Sequence, residues 1–146
     1  VVERLSEEFT LVFTGMSRSA SDVLGETPED PADKLTRLRV IRGQADAVRG
    51  MLESGNLVGL GLLIGEAWDS KRGISSGISS DELDAMHKRI MAMGATGAKL
   101  LGAGGGGFFL VHGGEGLRNR LAELGPKHRL IPLGVDGKGS VIINEV

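Results

Sequence analysis

Short apolar runs alternate with longer stretches of helical periodicity along this chain, and together they predict the order β-α-α-α-β-β-α-β-β. Phe9-Thr10-Leu11-Val12-Phe13 is apolar and β-prone, and Thr14-Gly15 ends it, which predicts a buried strand. Met16 to Ser21 is small and polar, fitting either a loop or a first helical turn. Asp30-Pro31-Ala32-Asp33 reads as a helix start: Asp30 caps, Pro31 takes the first helical position, and Asp33 faces the positive end of the dipole. Leu35, Leu38, Ile41, Ala45, Val48 and Leu52 then keep one apolar face as far as Gly55-Asn56.

A second helix is predicted from Leu57 to about Arg72, despite the propensity cost of Gly59, Gly61 and Gly65, up to about 1 kcal/mol each. Close packing against a neighbour would account for them. A third carries Leu83, Met86, Ile90 and Met93, with Ser79 and Glu82 as a capping box and Gly94 as its stop. The period then changes. Ala98 to Leu101 and Phe108 to Val111 are strand-like runs on either side of Gly102-Ala103-Gly104-Gly105-Gly106-Gly107. A short helix with Leu117, Leu121 and Leu124 stops at Gly125-Pro126. Strands at Arg129–Val135 and Ser140–Asn144 are expected to close the chain around a turn at Asp136-Gly137-Lys138-Gly139, with Pro132 putting the first at an edge or bulge. This order predicts one α+β domain of two layers, an antiparallel sheet with helices on one face.

Composition adds to this in two ways. The 146 residues suffice for a core burying roughly 70% of the unfolded surface. Ten of the 24 glycines fall within residues 94–116, so the excess marks backbone geometry at one place. Charge and residue types mainly exclude. The net charge is -2, with no basic block and only 3% aromatics, which argues against a nucleic-acid surface. Without cysteine there are no disulfides or thiolate metal sites, and His87, His112 and His128 make no ligand-spaced motif. The longest apolar stretch, Leu57 to Ile64, is too short for a bilayer, which needs about 20 residues. No metal site, membrane or nucleic-acid partner is therefore expected. With no signal peptide opening the chain, a cytoplasmic protein is the simplest expectation, and the start at Val1 fits an excised fragment.

Chemistry concentrates in the glycine run. Glycines accept positive φ, so successive amides can turn toward one anion without a Cβ in the way, and Lys99 adds a full charge. Gly102, Gly104 and Gly107 satisfy G-x-G-x-x-G, but a dinucleotide loop must open a helix, whereas Phe108-Phe109-Leu110-Val111 reads as a strand. A Walker A loop fails as well, because Gly139 follows Lys138 where Ser or Thr is required.

Gly97-Ala98-Lys99-Leu100-Leu101-Gly102-Ala103-Gly104-Gly105-Gly106-Gly107-Phe108 resembles the third motif of GHMP kinases, the family of galactokinase and the homoserine, mevalonate and phosphomevalonate kinases. Leu11 to Ser21 is similar to the opening of the C-terminal half of D-glycero-D-manno-heptose 7-phosphate kinases. Glu66-Ala67-Trp68-Asp69-Ser70-Lys71-Arg72-Gly73-Ile74-Ser75-Ser76-Gly77-Ile78-Ser79 is similar to a segment of the same subfamily, part of it shared with fucokinases. Two positions depart from the pattern: Ser80 stands where Asn is usual, and Ala98 where Gly is usual.

The resemblance implies the ferredoxin-like C-terminal domain of an ATP-dependent sugar-phosphate kinase, most like the heptose 7-phosphate kinases. It implies ATP and Mg²⁺ as cofactors, held mainly by an N-terminal half whose phosphate loop and catalytic Asp have no counterpart in these residues. No catalytic residue is then expected in this chain. The substrate contacts implied are Ser17, Arg18, Lys71 and Arg72, with Lys99, Gly102, Ala103, Gly104, Gly105 and Gly106 forming the glycine motif. Each has a plainer reading: Arg18 as a solvated arginine, Lys71 and Arg72 as charges closing a helix, Lys99 as a partner of a carboxylate. Trp68 reads as core, and Ser75, Ser76 and Ser79 as caps for the next helix. Partners implied are a small sugar phosphate and the chain's own N-terminal half, with self-association where that half is missing. The competing reading is a non-catalytic small-molecule or interaction module of the same fold.

Overall fold

The computed structural model describes residues 1–17, 31–139 and 141. It opens with a helix absent from the sequence reading, α1 (Val2–Glu8), and continues as β1 (Phe9–Phe13), α2 (Pro31–Ser54), α3 (Leu57–Arg72), α4 (Asp81–Ala92), β2 (Gly97–Leu100), β3 (Phe108–His112), α5 (Leu117–Leu121) and β4 (Leu130–Pro132). Single 3₁₀ turns at Ser76–Ile78 and Ala122–Leu124 lead into α4 and out of α5. The Asp30 cap lies outside the described residues, as does the predicted strand at Ser140–Asn144 apart from Val141, which is exposed and in no strand.

The four strands form one antiparallel sheet in the order β2-β3-β1-β4, so β1 and β2 are separated by β3 as in a split βαβ unit. Pleating assigns the two faces. Thr10, Val111 and Ala98 share one register row, and Val12, Phe109 and Leu100 the next, on the face that meets the main core. That core adds Leu83, Met86 and Ile90 of α4 with Leu117, Leu121 and Leu124. The opposite pleat carries Phe9, His112 and Gly97, then Leu11, Leu110 and Lys99, then Phe13 and Phe108. Its first row is covered by a second cluster, in which Phe9 packs with Leu57, Leu60 and Ile64 of α3 and with Val48, Met51 and Leu52 of α2. The remaining rows stay partly open to solvent.

The glycines of α3 are explained by contact. A Cβ on Gly61 would overlap the ring of buried His112, and one on Gly65 would touch the Gly97 Cα at 3.7 Å. A Cβ on Gly97 would run into the carbonyl oxygen of Gly61. Helix and strand therefore meet backbone to backbone. Trp68, at 0% exposure, then reaches the main core and meets Phe109 edge-on at 6.0 Å.

Helix termini follow local chemistry with one correction. Gly55 takes φ +70, the Asn56 amide returns to the Met51 carbonyl at 2.9 Å, and the Asn56 side chain caps α3 by accepting from the Gly59 amide at 3.0 Å. The cap of α4 is Ser80 and not Ser79: both are extended, but it is the Ser80 hydroxyl that accepts from the Leu83 amide, at 3.3 Å. Glu82 then stands one place too early for a capping box. Ser79 instead donates to the Asp84 carboxylate at 2.7 Å. The apolar face predicted along α2 is only half used, because Leu35 and Leu38 are 49% and 44% exposed. β4 is shorter than predicted and pairs with β1 alone among the described strands, as its Pro132 requires of an edge.

α1 is tied to this frame by polar contacts, with Arg118 donating to the Ser6 carbonyl at 2.7 Å and Arg4 to the Gly55 carbonyl at 3.1 Å. Arg4 pairs with Glu8 at 2.7 Å, and His112 Nε2 lies 3.2 Å from the other Glu8 oxygen. Burial alone would push the Glu8 carboxyl up, but the hydrogen bonds from Arg4 and His112 outweigh it and hold the group below its ordinary value. A depressed carboxylate contributes stability above its unfolded pKa, and that contribution disappears as pH falls through the lower, folded value. Thermal midpoints measured from pH 6 downward are therefore expected to fall less steeply below about pH 4.5 in Glu8→Gln than in the parent. Parallel acid limbs would show that Glu8 carries no such linkage.

Candidate phosphate-facing site at the glycine loop

Residues 101–107 join β2 to β3 as a folded loop. The Leu101 amide donates to the Phe108 carbonyl at 2.9 Å, and Gly102, Gly104, Gly105, Gly106 and Gly107 all take positive φ. The loop is held between two other segments. On one side the Gly105 amide donates to the Ile78 carbonyl at 3.0 Å, and a Cβ on Gly104 would lie 2.8 Å from the Ile78 backbone. On the other side the Gly107 amide donates to the Met16 carbonyl at 2.9 Å, and a Cβ on Gly106 would lie 2.7 Å from that same oxygen. Glycine is needed at 104 and 106 twice over, for φ and for space.

Thr14, which the sequence reading used only as a strand end, locks this assembly. It is 2% exposed, its hydroxyl donates to the Gly107 carbonyl at 2.9 Å, and its oxygen accepts from the Met16 amide at 3.2 Å. A buried hydroxyl closing a strand beside a distant glycine loop leaves no trace in local periodicity.

Beside the loop lies a cavity of about 350 Å³, bordered by Leu11, Ser17, Leu101, Ala103 and Phe108 together with the loop glycines. Of the predicted contacts, Ser17 lies on this border, and Arg18 lies outside the described residues. The amides of Ala103, Gly104 and Gly106 have no acceptor among the described residues. Lys71, in the last turn of α3, donates from Nζ to the Gly102 carbonyl. Lys99 stands on the partly open pleat in the same row as Leu11. Burial pushes both lysines below the ordinary ammonium value, and the charge of Lys99 adds to the effect on Lys71.

Arg72 is engaged elsewhere. Its guanidinium lies 3.2 Å from Asp69 and 3.5 Å from Asp84, the carboxylate that also takes the Ser79 hydroxyl. His87 donates from Nε2 to the Ala98 carbonyl at 3.3 Å, and its ring packs 5.8 Å from Phe109; burial lowers its pKa, against the opposing effect of that hydrogen bond. Among the described residues no three His, Asp or Glu side chains converge on a point that would hold a metal.

Residues 47–126, more than half of the chain, match the family described as GHMP kinases C terminal. The chain belongs to this family. The GHMP domain is 30% identical over 110 residues to a D-glycero-alpha-D-manno-heptose 7-phosphate kinase of Campylobacter jejuni, a match covering 74% of this chain and 32% of that protein. It is 28% identical over 105 residues to an L-fucokinase/L-fucose-1-P guanylyltransferase of Bacteroides fragilis, covering 69% of this chain and 11% of that protein. The chain thus spans about a third and about a tenth of the lengths of these relatives. Its fold is similar to that of L. major mevalonate kinase in complex with R-mevalonate, with a TM-score of 0.62, 23% identity, and coverage of 80% of this chain and 37% of that one. Lactococcus lactis galactokinase complexed with galactose superposes with a TM-score of 0.56 at 15% identity, covering 86% of this chain and 44% of that one. The α+β fold with an antiparallel sheet is that of the GHMP C-terminal domain.

Proposed function

We propose that this GHMP domain forms the substrate-side wall of an ATP-dependent sugar-phosphate kinase that phosphorylates the anomeric hydroxyl of a heptose 7-phosphate. One observation carries the reading. A glycine loop fixed on both sides presents open amides beside two half-buried lysines, a wall suited to anionic oxygens. The heptose 7-phosphate kinase relative supports the choice of sugar. MgATP supplies the phosphoryl group, and this reading assigns its phosphates and metal mainly to an N-terminal half outside the chain. The residues present suit one side of that chemistry: Ser17, Lys71, Lys99 and the loop amides bind and orient anionic groups. The open pleat with Leu11, Leu110, Phe13 and Phe108 is where the N-terminal half packs. Positioning and charge neutralisation make up most of phosphoryl-transfer catalysis, so a single wall is expected to be inactive.

The test is coupled ADP release by the full-length protein with MgATP and either heptose 7-phosphate or L-fucose, alongside this chain alone. Turnover is expected with the heptose phosphate and none with the isolated chain, which also shows no micromolar affinity for MgATP in calorimetry. Turnover on fucose alone would move the assignment to a fucokinase. No turnover, with an unrelated segment upstream of Val1, would favour a non-catalytic module of the same fold.

A further inference from the structure

Lys71 and Lys99 share one environment but have no counter-charge among the described residues. Lys71 has spent one of its three donors on the Gly102 carbonyl, and Lys99 makes no ion pair with any described carboxylate. Four other cations, Arg4, Arg37, Arg49 and Arg72, each face a carboxylate, whereas Arg118 and Arg120, like Lys71, donate to uncharged oxygens. Arg72 follows Lys71 directly yet has two acidic partners, while Lys71 has none among the described residues. Lys71 reaches the Gly102 carbonyl just past the end of β2, the strand that carries Lys99, and both side chains are partly withdrawn from water, so the excess positive charge there is one that an anion would fill. Ala103, Gly104 and Gly106, whose amides have no acceptor among the described residues, line the same rim.

We propose that Lys71 and Lys99 together bind a phosphate group at the rim of the glycine-loop cavity, and that Arg72, paired with Asp69 and Asp84, takes no part in it. This deepens the kinase reading by assigning the phosphate contact to the lysine pair. It rests on that reading only for which phosphate is bound, a sugar phosphate monoester or a nucleotide.

Binding is read without turnover, by ¹H–¹³C NMR of the chain labelled at lysine Cε and titrated with inorganic phosphate at low ionic strength. Lys71→Met and Lys99→Met assign the two signals by their disappearance. The expected result is that both signals shift together and saturate while the other lysines drift in proportion to salt. Phosphate should also raise the titration midpoints of both lysines, because an anion favours their charged form. The double variant is expected to weaken binding at least roughly tenfold, whereas Arg72→Met changes it by less than about twofold. The same titration with heptose 7-phosphate and with MgATP identifies the source by whichever saturates at the lower concentration. Lysine signals that all drift alike in the parent chain would overturn the inference, and so would unchanged affinity in a double variant that keeps its thermal midpoint. A full-length protein without kinase turnover whose lysine pair still saturates would refute the kinase reading and leave the phosphate site standing.

Discussion

Gly97→Ala is expected to destabilise the domain by at least ~3 kcal/mol, at or beyond the upper end of ordinary overpacking. The added methyl has no flexible neighbour to displace. It would overlap the Gly61 carbonyl oxygen and come within 2.8 Å of the Gly61 carbonyl carbon, both part of α3's backbone. Relief requires α3 to lift from β2, which would strip cover from Trp68 in one core and from Leu57, Leu60 and Ile64 in the other. Against a total stability of about 5–15 kcal/mol, such a loss is large. Gly43→Ala in α2 is the matched control. Nothing lies within 4 Å of its Cβ position, so relief of glycine's helix penalty should stabilise by about 1 kcal/mol. Urea unfolding of the two variants should therefore move in opposite directions. A Gly97→Ala midpoint equal to the parent's would mean that α3 and β2 are not in backbone contact.

That contact also marks the boundary of what the sequence discloses. Apolar spacing located β1, α3, α4, β2 and β3 because each buries a face or a short run whose period is local. The glycine tract could be read as a structured turn because strands flank it, and the structure keeps it between β2 and β3. Gly61 was legible only as a cost and Gly97 only as part of the glycine motif, since the partners that justify them, His112 and Gly61, are distant in sequence and spacing carries no trace of them. Ser79 and Ser80 illustrate a finer limit. Either can cap and both are extended, so the choice depends on where the helix begins and on the Asp84 carboxylate that takes the Ser79 hydroxyl. Lys71 and Arg72 look interchangeable in a row of letters. Their roles separate once Asp69 and Asp84 are found around one and the Gly102 carbonyl beside the other. α1 was missed because its single inward residue of note, Leu5, makes no stripe, and polar partners distant in sequence, His112 and Arg118, hold the helix in place.

The same spatial logic gives the largest functional effect. On the proposed kinase reading, Gly104→Ala in the full-length protein is expected to lower kcat/KM for phosphoryl transfer by about 100-fold, the scale attached to misplacing a reacting site by about 1 Å. Gly104 combines φ +128 with a backbone neighbour, Ile78, whose Cα and carbonyl oxygen would each stand 2.8 Å from the new Cβ. An alanine there cannot relax by rotating a side chain. The loop must rise from the 76–78 turn, losing the Gly105 amide's bond to the Ile78 carbonyl and carrying the Ala103, Gly104 and Gly106 amides with it. Stability should suffer less than rate, because the loop lies at the rim while the core rows of β2 and β3 continue behind it. Gly102→Ala separates strain from placement. Its φ of +72 still favours glycine, but nothing lies within 4 Å of its Cβ position, so the loop can stay seated and the rate should fall far less than in Gly104→Ala. Steady-state kinetics alongside thermal midpoints for the three proteins decide the matter. A folded Gly104→Ala enzyme working within about twofold of the parent would show that catalysis does not depend on how this loop is seated, and the loop would then have no part in holding the reacting phosphate.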